Sequence, residues 1–124
     1  KPLNVNRMTG YIYEHLEIYS KGMASVVLTK EVLERFQATD QLASLVVSVP
    51  GTVEGILAWS MYVEQEDGTF RVHLRSKGPT VNHIAQAFGG GGHTLACGIP
   101  SVTKSQILEV DAELKEAVKT FKKN

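Results

Sequence analysis

The sequence predicts an α/β fold: a mixed, largely antiparallel sheet flanked by helices, with one long helix at the C-terminus. Three observations carry that expectation. Ile56 to Val63 is a nearly continuous apolar run, as in a central strand covered on both faces. Beyond an Asp67-Gly68 turn, Phe70, Val72 and Leu74 alternate with Arg71, His73 and Arg75, the period-two pattern of an antiparallel return strand with one basic face. Ile107, Val110, Leu114, Val118 and Phe121 then recur at steps of three or four, which is one buried stripe of a helix.

The remaining elements follow in chain order. Met8 to Glu14 reads as a helix tail or connector, and residues 1 to about 14 are assigned to a linker. His15-Leu16-Glu17-Ile18-Tyr19 alternates like a half-buried strand, and Lys21-Gly22 supplies a turn. Met23 to Leu28 is a second strand, forming a hairpin with the first or lying beside it in the sheet. Thr29 is placed to cap a helix over 30–36 with Glu31 in its first turn and Val32, Leu33 and Phe36 on its buried side. Asp40 would cap a further helix carrying Leu42, Leu45, Val46 and Val47, which stops before Pro50-Gly51. Asn82 would cap a short helix through Ile84, Ala85 and Phe88. Thr103 and Gln106 have the spacing of a capping box at the head of the long helix, whose late Lys115, Lys119, Lys122 and Lys123 offset its dipole and keep a solvated face.

At 124 residues the chain is expected to be a single domain, 1–124. Thirteen basic and thirteen acidic side chains balance to zero, so no long-range field draws nucleic acid or a membrane, and any anion site must be local. One cysteine, Cys97, leaves no internal disulfide and suits a reducing cytoplasm, the expected location. No apolar run approaches the ~20 residues of a membrane span and the N-terminus lacks a signal-peptide layout, so no membrane partner is expected.

Phe88-Gly89-Gly90-Gly91-Gly92-His93 is the feature that points to chemistry. Each ordered glycine costs roughly 0.5–1 kcal/mol relative to alanine, and fold stability alone is not expected to require four in a row. Bare N–H groups that close on an oxyanion are the expected reason, with a phosphate or nucleotide as the ligand. The run is neither a Walker A loop, which needs lysine where His93 stands, nor a G-x-G-x-x-G fingerprint. Arg75-Ser76-Lys77-Gly78 supplies a second group of candidates, because a guanidinium holds phosphate through parallel hydrogen bonds. Only a short helix separates Arg75 from Gly89, so the two segments are expected to form opposite walls of one cleft. His93 reads as a phosphate donor, a metal ligand or a buried hydrogen-bonded histidine, with metal disfavoured because His15, His73 and His83 show no ligand spacing with it. His73 lines the cleft or is plainly exposed, and Cys97 reads as tight packing rather than as a nucleophile. The acids form no cluster suited to paired catalytic metals, which leaves a substrate grip without a reaction centre.

Gly22-Met23-Ala24-Ser25-Val26-Val27-Leu28-Thr29, Leu74-Arg75-Ser76-Lys77, Val81-Asn82-His83-Ile84-Ala85 and the stretch Phe88 to Gly98 resemble the DHH-associated C-terminal domain, the GGGGH-motif domain of the DHH phosphoesterases. Nearly the whole chain is covered, and the likeness is strongest to the NrnA-like bacterial branch, hydrolases of very short RNA oligonucleotides (nanoRNA) and of 3′-phosphoadenosine 5′-phosphate. The resemblance implies a manganese-bearing Asp-His-His domain, covalently linked upstream and absent from this chain. It implies a nucleotide- or oligonucleotide-binding piece with no catalytic residue, metal or cofactor of its own, and leaves a homodimer open. By the same resemblance Arg75 and Ser76 contact phosphate or sugar, Gly89, Gly90, Gly91 and Gly92 receive the nucleotide against bare backbone, and His93 binds phosphate. His73 and Lys77 are secondary candidates. The rival expectations are the equivalent domain of a cyclic-dinucleotide phosphodiesterase or a RecJ-type nuclease, and a stand-alone tRNA- or nucleic-acid-binding module like that linked to alanyl-tRNA synthetases.

Overall fold

The computed structural model describes residues 1–19 and 22–123, so Lys21 of the expected turn lies outside the described residues. Helix α1 (Leu3–His15) leads into strands β1 (Glu17–Tyr19) and β2 (Met23–Leu28), helices α2 (Lys30–Arg35) and α3 (Asp40–Ala43), and two 3-10 turns (Ser44–Val46 and Val49–Thr52). Strands β3 (Ala58–Glu64) and β4 (Phe70–Ser76), helix α4 (Asn82–Ala87), strands β5 (Gly91–His93) and β6 (Ala96–Val102), and helix α5 (Lys104–Lys123) complete the chain. The six strands form one sheet in the order β1-β2-β3-β4-β6-β5. Only β2 and β3 run parallel, because the helices between them carry the chain back to the same end; every other pair is antiparallel. The mixed, largely antiparallel sheet is therefore the one the sequence predicts.

The sheet is unequally covered, and that inequality creates the site. On one face, Tyr62, Val72, Leu74, Cys97 and Ile99 pack against Ile84 and Ala85 of α4 and Val110, Leu114 and Val118 of α5. On the other, Val26, Leu28, Met61 and Val63 pack against Val5, Met8 and Ile12 of α1 and Val32 and Leu33 of α2. Trp59 extends this second layer beside Ala24 and Ile56, its indole N–H donating to the Val47 carbonyl at 2.7 Å. Beyond β3 the second face is bare: Arg71 and His93 are exposed, and His73, Arg75, Ala96 and Gly98 are half-buried.

Several local expectations need correction. The segment assigned to a linker is a helix with Val5, Met8 and Ile12 fully buried, so it is a core element of this domain. His15 closes that helix, and the first strand begins two residues later, at Glu17. The cap expected of Asp40 is made by Thr39, whose hydroxyl accepts from Leu42 N at 3.2 Å, and α3 shortens into 3-10 turns on the way to Pro50. Asn82 makes no cap hydrogen bond; it is the first residue of α4. Phe121 is exposed at the end of the α5 stripe, its ring against Gly78. Thr29 caps α2 as expected, and Thr103 with Gln106 forms the reciprocal box, with bonds of 2.8 and 3.3 Å.

One polar feature inside the core escaped the sequence reading. Asp111 of α5 is 3% exposed and accepts from Ser60 Oγ at 2.7 Å and Tyr62 Oη at 2.6 Å, while Ser60 also reaches Ser25 Oγ at 2.9 Å. Burial and this carboxylate push the Tyr62 phenol far above its ordinary value, so it stays protonated and donates.

Candidate functional site

Alternation along β4 decides which side chains reach the bare face. Val72 and Leu74 enter the α4–α5 core, so Arg71, His73 and Arg75 project from the other side. The strand register then sets them in rows. Trp59, Arg75, Ala96 and His93 are successive partners across β3, β4, β6 and β5, and Met61, His73, Gly98 and Gly91 form the adjacent row. Directly opposed residues share a face, so Arg75 and His93 flank a floor from which β6 contributes only Ala96 and Gly98. The two segments expected as opposite walls of a cleft lie instead in one sheet, with β6 between them.

Arg75 is oriented by its own backbone surroundings. Its Nη1 donates to the carbonyls of Leu74 at 2.9 Å and Cys97 at 3.1 Å. Among the described residues its Nε and Nη2 have no hydrogen-bond partner, leaving the outer edge of the fork for an anion. His73 is half-buried between two arginines; burial first, then Arg75, hold its imidazole below the ordinary value of 6.5, with Asp40 opposing. It is therefore neutral at pH 7, one ring nitrogen donating and the other accepting. Arg71 is committed to Asp40, Nη1 to Oδ2 at 2.6 Å, so the basic face of β4 is partly neutralised.

The other expected residues divide. Ser76 faces the opposite side of the strand from Arg75; its hydroxyl donates to Pro79 O at 2.6 Å and accepts from Gly78 N at 3.1 Å, closing a turn. Lys77 is exposed beyond the strand end, its N–H on Leu57 O at 2.8 Å.

The glycine run is not an open loop, and three of its four members answer to the fold. Gly89, at φ +90°, ends α4, and Gly90 N reaches Ala85 O at 2.7 Å. A Cβ at Gly90 would overlap the Gly98 carbonyl, and one at Gly92, where φ is +138°, would stand 2.8 Å from Cys97 Cα. The expectation that stability has no use for these glycines is thus overturned at 89, 90 and 92. Gly91 differs, since a Cβ there meets nothing within 4 Å. Ala96 and Gly98, which keep the floor bare, went unrecognised in the sequence. The available signal was Gly98 itself, a glycine two residues from Ala96 on the same strand face.

The donor set does not suit manganese. Hard divalent cations take several oxygens, whereas this face presents imidazoles beside guanidiniums, and its bordering carboxylate, Asp40, is held by Arg71 and by Gln65 Nε2 at 3.1 Å. Among the described residues no three His, Cys, Asp or Glu side chains are grouped to hold a metal ion. A separate groove of about 410 Å³ runs between Gly78–His83 and α5, but Glu113 and Glu116 line it, the wrong charge for phosphate. Among the described residues no helix is long and apolar enough to cross a membrane.

Against this geometry, the DHHA1 domain family matches residues 20–120. The chain belongs to that family. It is 37% identical over 118 residues, 95% of its length, to a probable bifunctional oligoribonuclease and PAP phosphatase NrnA of Streptococcus mutans, of which it covers 38%. It is 38% identical over 117 residues, 94% of its length, to the bifunctional oligoribonuclease and PAP phosphatase NrnA of Bacillus subtilis, covering 37%. The chain thus spans little more than a third of these relatives. An exopolyphosphatase-related protein of Bacteroides fragilis has the same fold, with a TM-score of 0.81 at 24% identity over 98% of this chain and 36% of that one.

Proposed function

We propose that this DHHA1 domain grips the phosphate of a short oligonucleotide or of 3′-phosphoadenosine 5′-phosphate, as one part of a larger phosphoesterase. The observation that carries the reading is the row Arg75–Ala96–His93, which sets a pinned guanidinium and an exposed imidazole on either side of a bare floor. The free edge of Arg75 takes two phosphate oxygens in parallel, and His93 donates from across the floor. Ala96, Gly98 and Gly91 let the nucleotide lie against backbone, and neutral His73 offers one donor and one acceptor to its sugar or base. Ser76 is left out of the grip because its hydroxyl is spent on the 76–79 turn.

Hydrolysis is assigned to a covalently linked, manganese-bearing DHH domain in a bacterial, cytoplasmic enzyme, and this chain's part is to bind and orient. Likeness to the two oligoribonuclease/PAP phosphatases supports that choice of substrates. Calorimetric titration of the chain with a 5′-phosphorylated dinucleotide tests it. Arg75→Gln is expected to weaken binding about tenfold or more, the worth of one charge-assisted hydrogen bond, and His93→Ala to weaken it less. Manganese added to the chain alone is expected to give no turnover. Binding indifferent to Arg75→Gln, metal-dependent hydrolysis by the pure chain, or a preference for folded RNA with steep salt dependence would each contradict the proposal.

A further inference from the structure

Arg75 has two lateral neighbours in the sheet, and they are very unequal. The register sets Trp59 of β3 on one side of it and Ala96 of β6 on the other, each with its Cβ about 5 Å away. The next row repeats the inequality, with Met61 and Gly98 flanking His73. Bulk therefore stands on the β3 side of β4 and nearly bare backbone on the β6 side. The guanidinium lies on the open side. Its Nη1 donates to Leu74 O of its own strand and to Cys97 O of β6, which lays the group over the β4–β6 seam. Among the described residues Arg75 has no ion pair, so no opposite charge sets that direction. Two bonds to backbone carbonyls hold it, and water can replace either of them.

Trp59 is itself fixed from above. Its indole N–H donates to Val47 O at 2.7 Å, and Gly51 of the second 3-10 turn lies so close over the ring that a Cβ there would overlap Cη2. The residue is 6% exposed and packs with Ala24, Ile56 and Val53. With its polar atom bonded and its far edge covered, the ring has no room to turn aside, and the β3 side of Arg75 stays filled. The covered half of this face ends at Trp59, and Arg75 is the next residue in the row.

We infer that Trp59 is a positioning residue for the Arg75 grip: it closes the β3 side and confines the guanidinium to the β4–β6 seam before any ligand arrives. The inference rests on the proposed phosphate grip and adds to it the residue that orders the arginine, together with the Val47 and Gly51 clamp that holds that residue. An arginine already laid down loses less rotamer freedom on binding phosphate than one the ligand must order.

One readout without ligand and one with it test this role. In NMR spectra of the free chain the Nη hydrogens of Arg75 are expected to give separate resonances, as slow rotation about Nε–Cζ requires, while those of exposed Arg7 average. Trp59→Leu is expected to merge the Arg75 resonances and to weaken calorimetric binding of a 5′-phosphorylated dinucleotide about threefold to tenfold. In an Arg75→Gln background the same substitution should change affinity by less than about twofold while shifting the urea midpoint equally in both backgrounds; a merely structural role would weaken binding in both. Trp59→Phe, which keeps an aromatic ring beneath Gly51, should fall between the two on both readouts, and it stands in if Trp59→Leu does not fold. Averaged Arg75 resonances in the unaltered chain, folded Trp59 variants that bind as the unaltered chain does, or a Trp59→Leu loss that persists beside Arg75→Gln overturn the inference. Failure of the parent reading looks different: Arg75→Gln would leave binding unchanged while Trp59→Leu still merged the Arg75 resonances.

Discussion

Gly90 and Gly91 are adjacent and alike in sequence, yet the structure gives them different reasons to be glycine. A Cβ at Gly90 runs into the Gly98 carbonyl, so Gly90→Ala is expected to destabilise the domain by about 1–3 kcal/mol in urea unfolding. A Cβ at Gly91 meets open space, so Gly91→Ala should leave the unfolding midpoint nearly unchanged while weakening nucleotide binding several-fold by roughening the floor. Retained affinity in Gly91→Ala would mean that no ligand lies there. His73 adds a pH dependence whose sign follows from its depressed folded-state pKa. Between that value and the unfolded value near 6.5 the unfolded chain binds more protons, so stability rises with pH across this window. The contribution is complete above about 6.5 and declines as pH falls below it, and His73→Gln should flatten the slope. The chemical types at the site were legible in the sequence, since Arg75, His93 and the glycines stand out at once. Their roles were not, because the sequence hides that Ser76 faces away from Arg75 and that Gly90 and Gly92 are forced by contact with β6.

At the scale of elements, legibility followed the strength of the periodic signal. The β3 run, the alternation of β4 and the stripe and capping box of α5 each repeat over enough residues to name their own structure. Helix α1 carries a stripe too, Val5, Met8 and Ile12, but Asn4, Asn6 and Gly10 interrupt its helix propensity, and only packing on Met61 and its neighbours settles it. Met8→Ala should therefore cost about 2–5 kcal/mol, as for any fully buried side chain, whereas a mere connector would tolerate it. Strand β5 was unreadable for the opposite reason, since Gly-Gly-His has no strand preference and pairs only because β6 is there to accept it. The Asp111 network is a third case, one acid among several in a helical pattern, whose partners lie 49 and 51 residues away. Asp111→Ala should destabilise the domain by about 1–3 kcal/mol for each hydroxyl left unsatisfied, and Tyr62→Phe by less.

Over the whole molecule, a net charge of zero conceals an uneven distribution. The α4–α5 groove carries carboxylates, while the bare half of the sheet carries Arg71, His73, Arg75 and His93. A sheet helix-covered on one face but only half-covered on the other leaves backbone and basic side chains turned outward, an arrangement suited to a ligand held between this domain and another. The chain spans little more than a third of the NrnA proteins it resembles, and the proposal assigns binding to this part and chemistry to another. The most direct test is a backbone amide NMR titration of the chain with a 5′-phosphorylated dinucleotide. The expected result is a contiguous set of shift changes at His73, Arg75, Gly91, His93, Ala96 and Gly98 that Arg75→Gln abolishes. Shift changes confined to Gly78–His83 and α5, or none at millimolar ligand, would contradict the account.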